Sequence, residues 1–119
     1  MPSLRVLANP NLPQISKEEI AEISVKLQTA AARVLGIQES GIEVLWLPVL
    51  HALNPADLAV DVFYSVGEKS SLRGTLDELY NLASALKNVL LNSNLPAEYH
   101  EVSAWALPQR DAVFLSDQR

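Results

Sequence analysis

A strand–helix–strand pattern occurs twice along the 119-residue chain, and this repeat limits the possible folds more than any other feature. Residues 3–8 and 42–49 are predicted strands that flank a predicted helix over 17–35. Residues 58–66 and 98–107 flank a second predicted helix, which starts at 76 and ends near 92. The strands of the first unit begin near Ser3 and Ile42 and those of the second near Ala59 and Glu98, so both separations are 39 residues. Each unit therefore predicts a right-handed βαβ arrangement with a parallel strand pair.

Local signals fix where the two helices begin. Ser16 and Glu19 form a capping-box pattern before the first helix, and Thr75 and Glu78 repeat it before the second. Gly36 is placed as a C-terminal stop of the first helix. Each helix also carries an apolar stripe at helical spacing, which predicts one buried face.

Two βαβ units together predict an α+β domain with a four-stranded mixed sheet and both helices on one face. We expect a single domain over 1–119, with repeat halves at 2–49 and 58–107 and a C-terminal tail over 108–119. The other sheet face carries too many apolar side chains to remain in water, so association is expected to bury it. If the two middle strands are antiparallel about a pseudo-twofold axis, Arg5 and Asp61 lie together on that face, where we predict an ion pair.

Composition excludes several classes of function. With 49 % hydrophobic and 19 % charged residues the chain is typical of a globular protein. It has no cysteine, which excludes disulfides, thiol catalysis and thiolate metal sites, and two histidines alone cannot build a metal site. A net charge of −5 without a basic stripe argues against a nucleic-acid partner. No apolar run reaches membrane-spanning length and no signal-like segment is present, so we expect a cytoplasmic location.

The first residues of the chain contain a candidate general base. Pro2 directly follows Met1, and the first strand starts at once. Met before Pro is a good substrate for co-translational removal, which would leave the Pro2 nitrogen as a free secondary amine. An α-amino group titrates at about 7.7–8.0, and burial in an apolar pocket lowers that value. The amine would then be a general base for moving protons on carbon, although a Met-Pro start on its own is weak evidence.

The repeat, Pro2 at the strand start, the stretch Gly-Ile-Glu-Val-Leu-Trp at 41–46 and Ser65-Val66-Gly67 after the third strand together resemble the tautomerase superfamily. The resemblance is strongest to its trimeric branch, which includes macrophage migration inhibitory factor and 5-carboxymethyl-2-hydroxymuconate isomerase. It implies a homotrimer with its site between subunits, Pro2 as the proton-shuttling base, and amides around Val66 facing a small carbonyl substrate. It implies keto–enol interconversion, which requires no metal or organic cofactor.

The substrate contacts depart from the family pattern. Members that act on carboxylated substrates usually add a cation, and the corresponding positions here hold Asn11, Leu12, Ile37 and Glu43. Lys69 and Arg73, at the entrance to the second helix, are the best replacements because helix N-terminal amides favour anions. A solvated surface loop explains both residues equally well.

The remaining candidates each have a simpler interpretation. His100 aligns best with a residue that such members use on the last strand, but a hydrogen-bonded structural histidine explains it as well. Tyr64 and Tyr99 would be able to donate to an enolate oxygen, and core or interface packing explains both more simply. Two alternatives therefore stay open: a catalytically silent trimer that binds a protein or small metabolite, and an unrelated ferredoxin-like binding module.

Overall fold

The structure, a computed structural model, describes residues 2–53, 55–67 and 72–110. The first repeat consists of strand β1 (Ser3–Ala8), helix α1 (Lys17–Leu35) and strand β2 (Glu43–Trp46). The second consists of strand β3 (Leu58–Val66), helix α2 (Leu76–Leu91) and strand β4 (Val102–Arg110). A short 3-10 turn at Glu39–Gly41 leads into β2.

The four strands form one mixed sheet in the order β2-β1-β3-β4. The β1–β2 and β3–β4 pairs are parallel, and the two repeats meet through the antiparallel β1–β3 pair in the middle. The register places Arg5 directly opposite Asp61. The predicted pseudo-twofold arrangement of the two halves and the predicted fold class are both confirmed.

Both helices begin at the predicted caps. The Ser16 hydroxyl accepts the Glu19 amide at 3.2 Å, and the Thr75 hydroxyl accepts the Glu78 amide at 3.2 Å. Helix α1 ends at Gly36, whose φ of 67° lies in the left-handed region that glycine adopts without a steric cost. No helix within the described ranges is long and apolar enough to cross a membrane.

The core lies between the sheet and the helix pair. Alternate residues of β1 and β3 point into it, and so do one stripe from α1 and one from α2. The most buried side chains are Leu4, Val6, Ile23, Leu27, Leu58, Val60, Val62, Leu82, Leu86 and Leu90. Since all of them face the helix layer, the sheet has one covered face and one open face.

The open face carries the other alternate residues of each strand. Trp105 on β4 is 61 % exposed and Leu45 on β2 is 39 % exposed there, and Phe63 of β3 is paired with Leu107 of β4 on the same face. Several large apolar side chains exposed on one face are typical of a surface that another molecule covers. The open face predicted from the sequence is therefore present in the single chain.

Two predicted strands have different limits in the structure. Strand β2 ends at Trp46 rather than at residue 49, because Pro48 has no amide to continue the ladder. The near-continuous apolar run at 42–49 predicts a strand covered on both faces, but as an edge strand β2 leaves Glu43 exposed, so that prediction is wrong for the single chain.

Strand β4 begins at Val102 rather than at residue 98, since the Tyr99 amide closes a turn onto the Pro96 carbonyl at 3.0 Å. It continues to Arg110 through Pro108, which an edge strand tolerates. The first three residues of the predicted tail thus belong to the sheet, and residues 111–119 lie outside the described part of the chain.

Candidate active site at the start of the first strand

Pro2 is buried at the start of the central strand β1. Its carbonyl accepts the Glu43 amide of β2 at 3.1 Å. On the other side, Ser3 is paired with Phe63, and extending this register by one residue places Pro2 opposite Tyr64. The hydrogen bond from β2 therefore ties Pro2 to the sheet. The end of the sheet where β1 begins is called the Pro2 edge below.

The same edge receives the ends of β3 and β4 and the start of α2. Val66 is only 4 % exposed and is paired with Arg110 at the end of β4. Gly74, with a φ of 65°, lies against this edge so closely that a Cβ there would be 3.3 Å from Val66 Cγ1 and 3.2 Å from Pro108 Cβ. Residues 72–75, the loop that enters α2, are thus packed onto the strand ends beside Pro2.

A partly buried hydrogen-bond network joins this loop to β3 and α2. The Tyr64 hydroxyl donates to Glu78 Oε2 at 2.6 Å, and the Gly74 amide donates to the same oxygen at 2.8 Å. The Arg73 amide approaches Glu78 Oε1 at 3.4 Å. Burial, followed by the hydrogen bond to Glu78, raises the pKa of the Tyr64 phenol well above its usual value. Tyr64 therefore stays protonated and acts as a donor.

Comparisons with known structures show what this arrangement is similar to. A macrophage migration inhibitory factor-like protein from Entamoeba histolytica has a TM-score of 0.64 at 13 % identity, covering 98 % of this chain and 95 % of that one. Pt0534 inactivated by 2-oxo-3-pentynoate has a TM-score of 0.62 at 17 % identity, covering 95 % and 88 %. An asymmetric trimer of F6 fused 4-OT has a TM-score of 0.55 at 16 % identity, covering 89 % and 86 %.

The chain has the fold of the tautomerase superfamily. At these low identities the likeness establishes the fold alone. No family model and no curated protein matches the sequence, so the chemistry of this tautomerase-fold chain must be argued from its own residues.

Of the predicted substrate contacts, two lie near Pro2 and one lies far from it. Val66 and Arg73 lie at the Pro2 edge, where Arg73 Nη1 donates to the Gly67 carbonyl at 3.5 Å. Lys69 falls outside the described residues.

His100 lies at the opposite end of the sheet, just before β4, and its amide donates to Asp57 Oδ2 at 2.8 Å. The length of β1 separates these ends by roughly 20 Å. Within one chain, therefore, His100 does not join Pro2, and a role for it at this site requires another subunit.

Glu78 is the residue that sequence reasoning missed. It was interpreted only as the second half of a capping box, whereas its carboxylate also joins β3 to the loop before α2. The available signal was Tyr64, which the alternation of β3 places in the core. A buried tyrosine hydroxyl requires a partner, and the acidic residue of the next helix's capping box was one candidate for it.

No group of three histidine, aspartate or glutamate side chains in the described ranges is arranged to hold a metal ion. At the far end of β1 and β2, a cleft of about 530 Å3 is lined by Trp46, Tyr99, Ile20 and Lys17, among other residues, and Pro2 does not line it.

The aromatic side chains in this cleft have their polar atoms satisfied. Trp46 Nε1 donates to Ser24 Oγ at 2.8 Å, and the Tyr99 hydroxyl donates to the Pro13 carbonyl at 2.7 Å. Both residues therefore offer ring surface to the cleft rather than hydrogen bonds, which suits an apolar ligand.

Proposed function

We propose that the chain is a tautomerase that interconverts the keto and enol forms of a small carbonyl compound, with Pro2 as the general base. The observation that carries this proposal is the buried position of Pro2 at the start of the central strand, in a fold shared with macrophage migration inhibitory factor-like and 4-OT structures. Burial at this place is what a weakly basic, unprotonated amine requires.

The proposed reaction begins with Met1 removed. The Pro2 nitrogen takes a proton from the carbon next to the substrate carbonyl, and the C–H electron pair becomes the enolate π bond. The resulting ammonium returns the proton to the enolate oxygen, which gives the enol and restores the amine. Backbone amides near Val66 would stabilise the developing oxyanion, since fixed donors are effective in a water-poor site.

A cation beside this edge sets the substrate class that we propose. Arg73 is exposed, and its guanidinium lies next to the end of β3. It is placed to bind a carboxylate on the substrate, which favours a 2-oxo acid over a neutral ketone. Lys69 and His100 stay predictions for the same role.

We further propose that the protein is a homotrimer whose subunits cover one another's open sheet faces. The apolar open face supports association, and the fused 4-OT neighbour is described as an asymmetric trimer. A site between subunits would enclose the Pro2 edge, and Pro2 does not line the cleft at the far end of the sheet in the single chain. The cytoplasmic location expected from the sequence stays a prediction.

Enolisation of phenylpyruvate by the wild-type protein and by Pro2→Ala tests the proposed function. Pro2→Ala replaces the cyclic secondary amine with a primary α-amine, and an impaired general base lowers the rate by up to about 10²–10⁴-fold. The rate is followed at the absorbance of the enol, with intact mass recorded to show that Met1 is absent from both proteins. Equal rates for the two proteins would show that enolisation does not depend on the proline secondary amine.

A second candidate function, a catalytically silent binding protein of the same fold, is favoured by the cleft at the far end of the sheet. Its volume of about 530 Å3 lies within the range of small-molecule pockets. Because Trp46 lines the cleft, its fluorescence in a Trp105→Phe background reports an apolar ligand, with 8-anilinonaphthalene-1-sulfonate as the probe. A protein that binds the probe there and shows no Pro2-dependent enolisation would fit this second function.

A further inference from the structure

Glu78 lies where three parts of the proposed site meet. Its Oε2 accepts the Tyr64 hydroxyl from β3 at 2.6 Å and the Gly74 amide from the loop at 2.8 Å. Its Oε1 faces the Arg73 amide at 3.4 Å. A helix cap alone needs none of these bonds, because the capping interaction is already made by the Glu78 amide and the Thr75 hydroxyl.

The network controls where Arg73 can lie. The backbone at Arg73 and Gly74 is tied to Glu78, while the Arg73 side chain reaches the Gly67 carbonyl at 3.5 Å. Gly74 is pressed against Val66 and Pro108, so the loop cannot shift toward the sheet. Loss of the carboxylate would free the loop to move away from the strand ends.

Tyr64 connects this loop to the strand beside Pro2. The phenol is 2 % exposed and lies opposite Pro2 in the extended β1–β3 register. A charge-assisted hydrogen bond of this length is among the stronger contacts that a neutral donor makes. The loop position is therefore coupled to the strand that neighbours the base.

We infer that Glu78 is a positioning residue of the proposed active site: through Tyr64 and the amides of Arg73 and Gly74, it holds the Arg73 guanidinium at the edge where Pro2 lies. This inference rests on the proposed function. It assigns Glu78 to substrate binding rather than to the chemical step, so its loss should act on KM more than on kcat.

Glu19 offers a matched control within the same chain. It occupies the same capping-box position in α1, and its Oε1 likewise accepts a backbone amide, that of Asn94, at 3.0 Å. Helix α1 begins beyond the far end of β1, away from Pro2. Glu78→Ala and Glu19→Ala therefore make the same change at a helix start, near the site and far from it.

The experiment measures phenylpyruvate enolisation for the wild type, Glu78→Gln, Glu78→Ala, Tyr64→Phe and Glu19→Ala, at a temperature where circular dichroism shows all of them folded. We expect KM to rise about tenfold in Glu78→Ala with kcat changed by less than about threefold, since displacement of a binding group costs on this order. Glu78→Gln, which keeps an acceptor oxygen, should be intermediate, as should Tyr64→Phe. Amide exchange at Gly74 should become faster in Glu78→Ala but not in Glu19→Ala.

The outcomes separate the two claims. Wild-type enolisation that does not depend on Pro2 would overturn the proposed function and this inference together. Pro2-dependent enolisation with an unchanged KM in Glu78→Ala would overturn the inference alone. An equal rise of KM in Glu19→Ala would also overturn it, because the effect would then reflect general destabilisation.

Discussion

The Arg5 guanidinium lies 4.0 Å from the centroid of the Phe63 ring, although Asp61 is the direct partner of Arg5 across β1 and β3. No ion pair joins Arg5 to Asp61 in the part of the chain that the structure describes, and the pair that the sequence predicts inside an assembly stays a prediction. A planar guanidinium packs well on an aromatic face. Arg5 Nε is buried without a hydrogen-bond partner among the described residues.

The arrangement of Arg5 on Phe63 leaves the Asp61 carboxyl only partly stabilised. Burial raises the pKa of its carboxyl, and the nearby Arg5 charge only partly opposes that rise. Arg5 and Asp61 on the open face are thus partly removed from water, and neither has a complete set of polar partners. Burial of this face against another copy, which we propose, would have to supply the missing partners.

Trp105→Glu should prevent that association. Trp105 is 61 % exposed on the open face, and a buried unpaired charge there would cost about 3–5 kcal/mol, weakening subunit binding by roughly a hundred- to several-thousand-fold. Light scattering should show a trimer for the wild type and a monomer for the variant. The control is Tyr80→Glu, at a site on α2 that is 70 % exposed, which should stay trimeric. A trimeric Trp105→Glu would mean that subunits meet elsewhere.

Gly74→Ala should destabilise the protein more than Gly36→Ala. Both glycines have a φ near 65°, which costs an L-residue about 1–2 kcal/mol. Only at Gly74 would the added Cβ also press on Val66 and Pro108, whereas nothing lies within 4 Å at Gly36. We expect urea denaturation to show an additional loss of about 1 kcal/mol at Gly74. Equal losses at both positions would show that the loop is not packed on the strand ends.

Tyr64→Phe should make the fold less sensitive to alkali. Because the folded pKa of Tyr64 is raised, the unfolded chain loses this proton first as pH rises above about 10. The folded state then binds more protons, so stability falls with pH by about 1.4 kcal/mol per unit for this one group. Urea titrations between about pH 10 and 12 should give a shallower slope for Tyr64→Phe than for the wild type or for Tyr80→Phe, which alters an exposed tyrosine. Parallel slopes would contradict a buried Tyr64–Glu78 hydrogen bond.

Leu86→Ala tests the packing between the helices and the sheet. Leu86 is fully buried on α2, so its truncation should cost about 2–5 kcal/mol of unfolding free energy. Leu91→Ala, on the same helix at a position 59 % exposed, should cost less than about 1 kcal/mol. Thermal or urea denaturation measures both, and similar losses would show that the core has been assigned wrongly.

Local signals made much of the fold predictable. The capping boxes at Ser16 and Thr75 located both helix starts, and the alternation of β3 gave its limits and its two faces. The two repeated units predicted a mixed four-stranded sheet with parallel pairs within each unit, whereas the order β2-β1-β3-β4 comes from the structure.

The errors came from contacts between distant segments. Whether residues 98–101 pair with β3 depends on the turn that Tyr99 closes and on the Asp57 carboxylate, which accepts the amides of His100 and Glu101. Likewise, no sequence pattern shows that Arg5 prefers Phe63 to Asp61, since both lie on the same face within reach. The link between Glu78 and Tyr64 was missed for the same reason, because it depends on how a helix start lies on a sheet edge.

The mass of the N-terminal peptide after treatment with 2-oxo-3-pentynoate tests the central claim most directly. An alkyne conjugated to a ketone accepts an unprotonated amine, and the Pt0534 neighbour is inactivated by this compound. We expect one equivalent of adduct on Pro2 in protein lacking Met1, with loss of phenylpyruvate enolisation in proportion to the labelling. An unmodified Pro2 in fully treated protein, or enolisation that survives complete labelling of Pro2, would contradict the account.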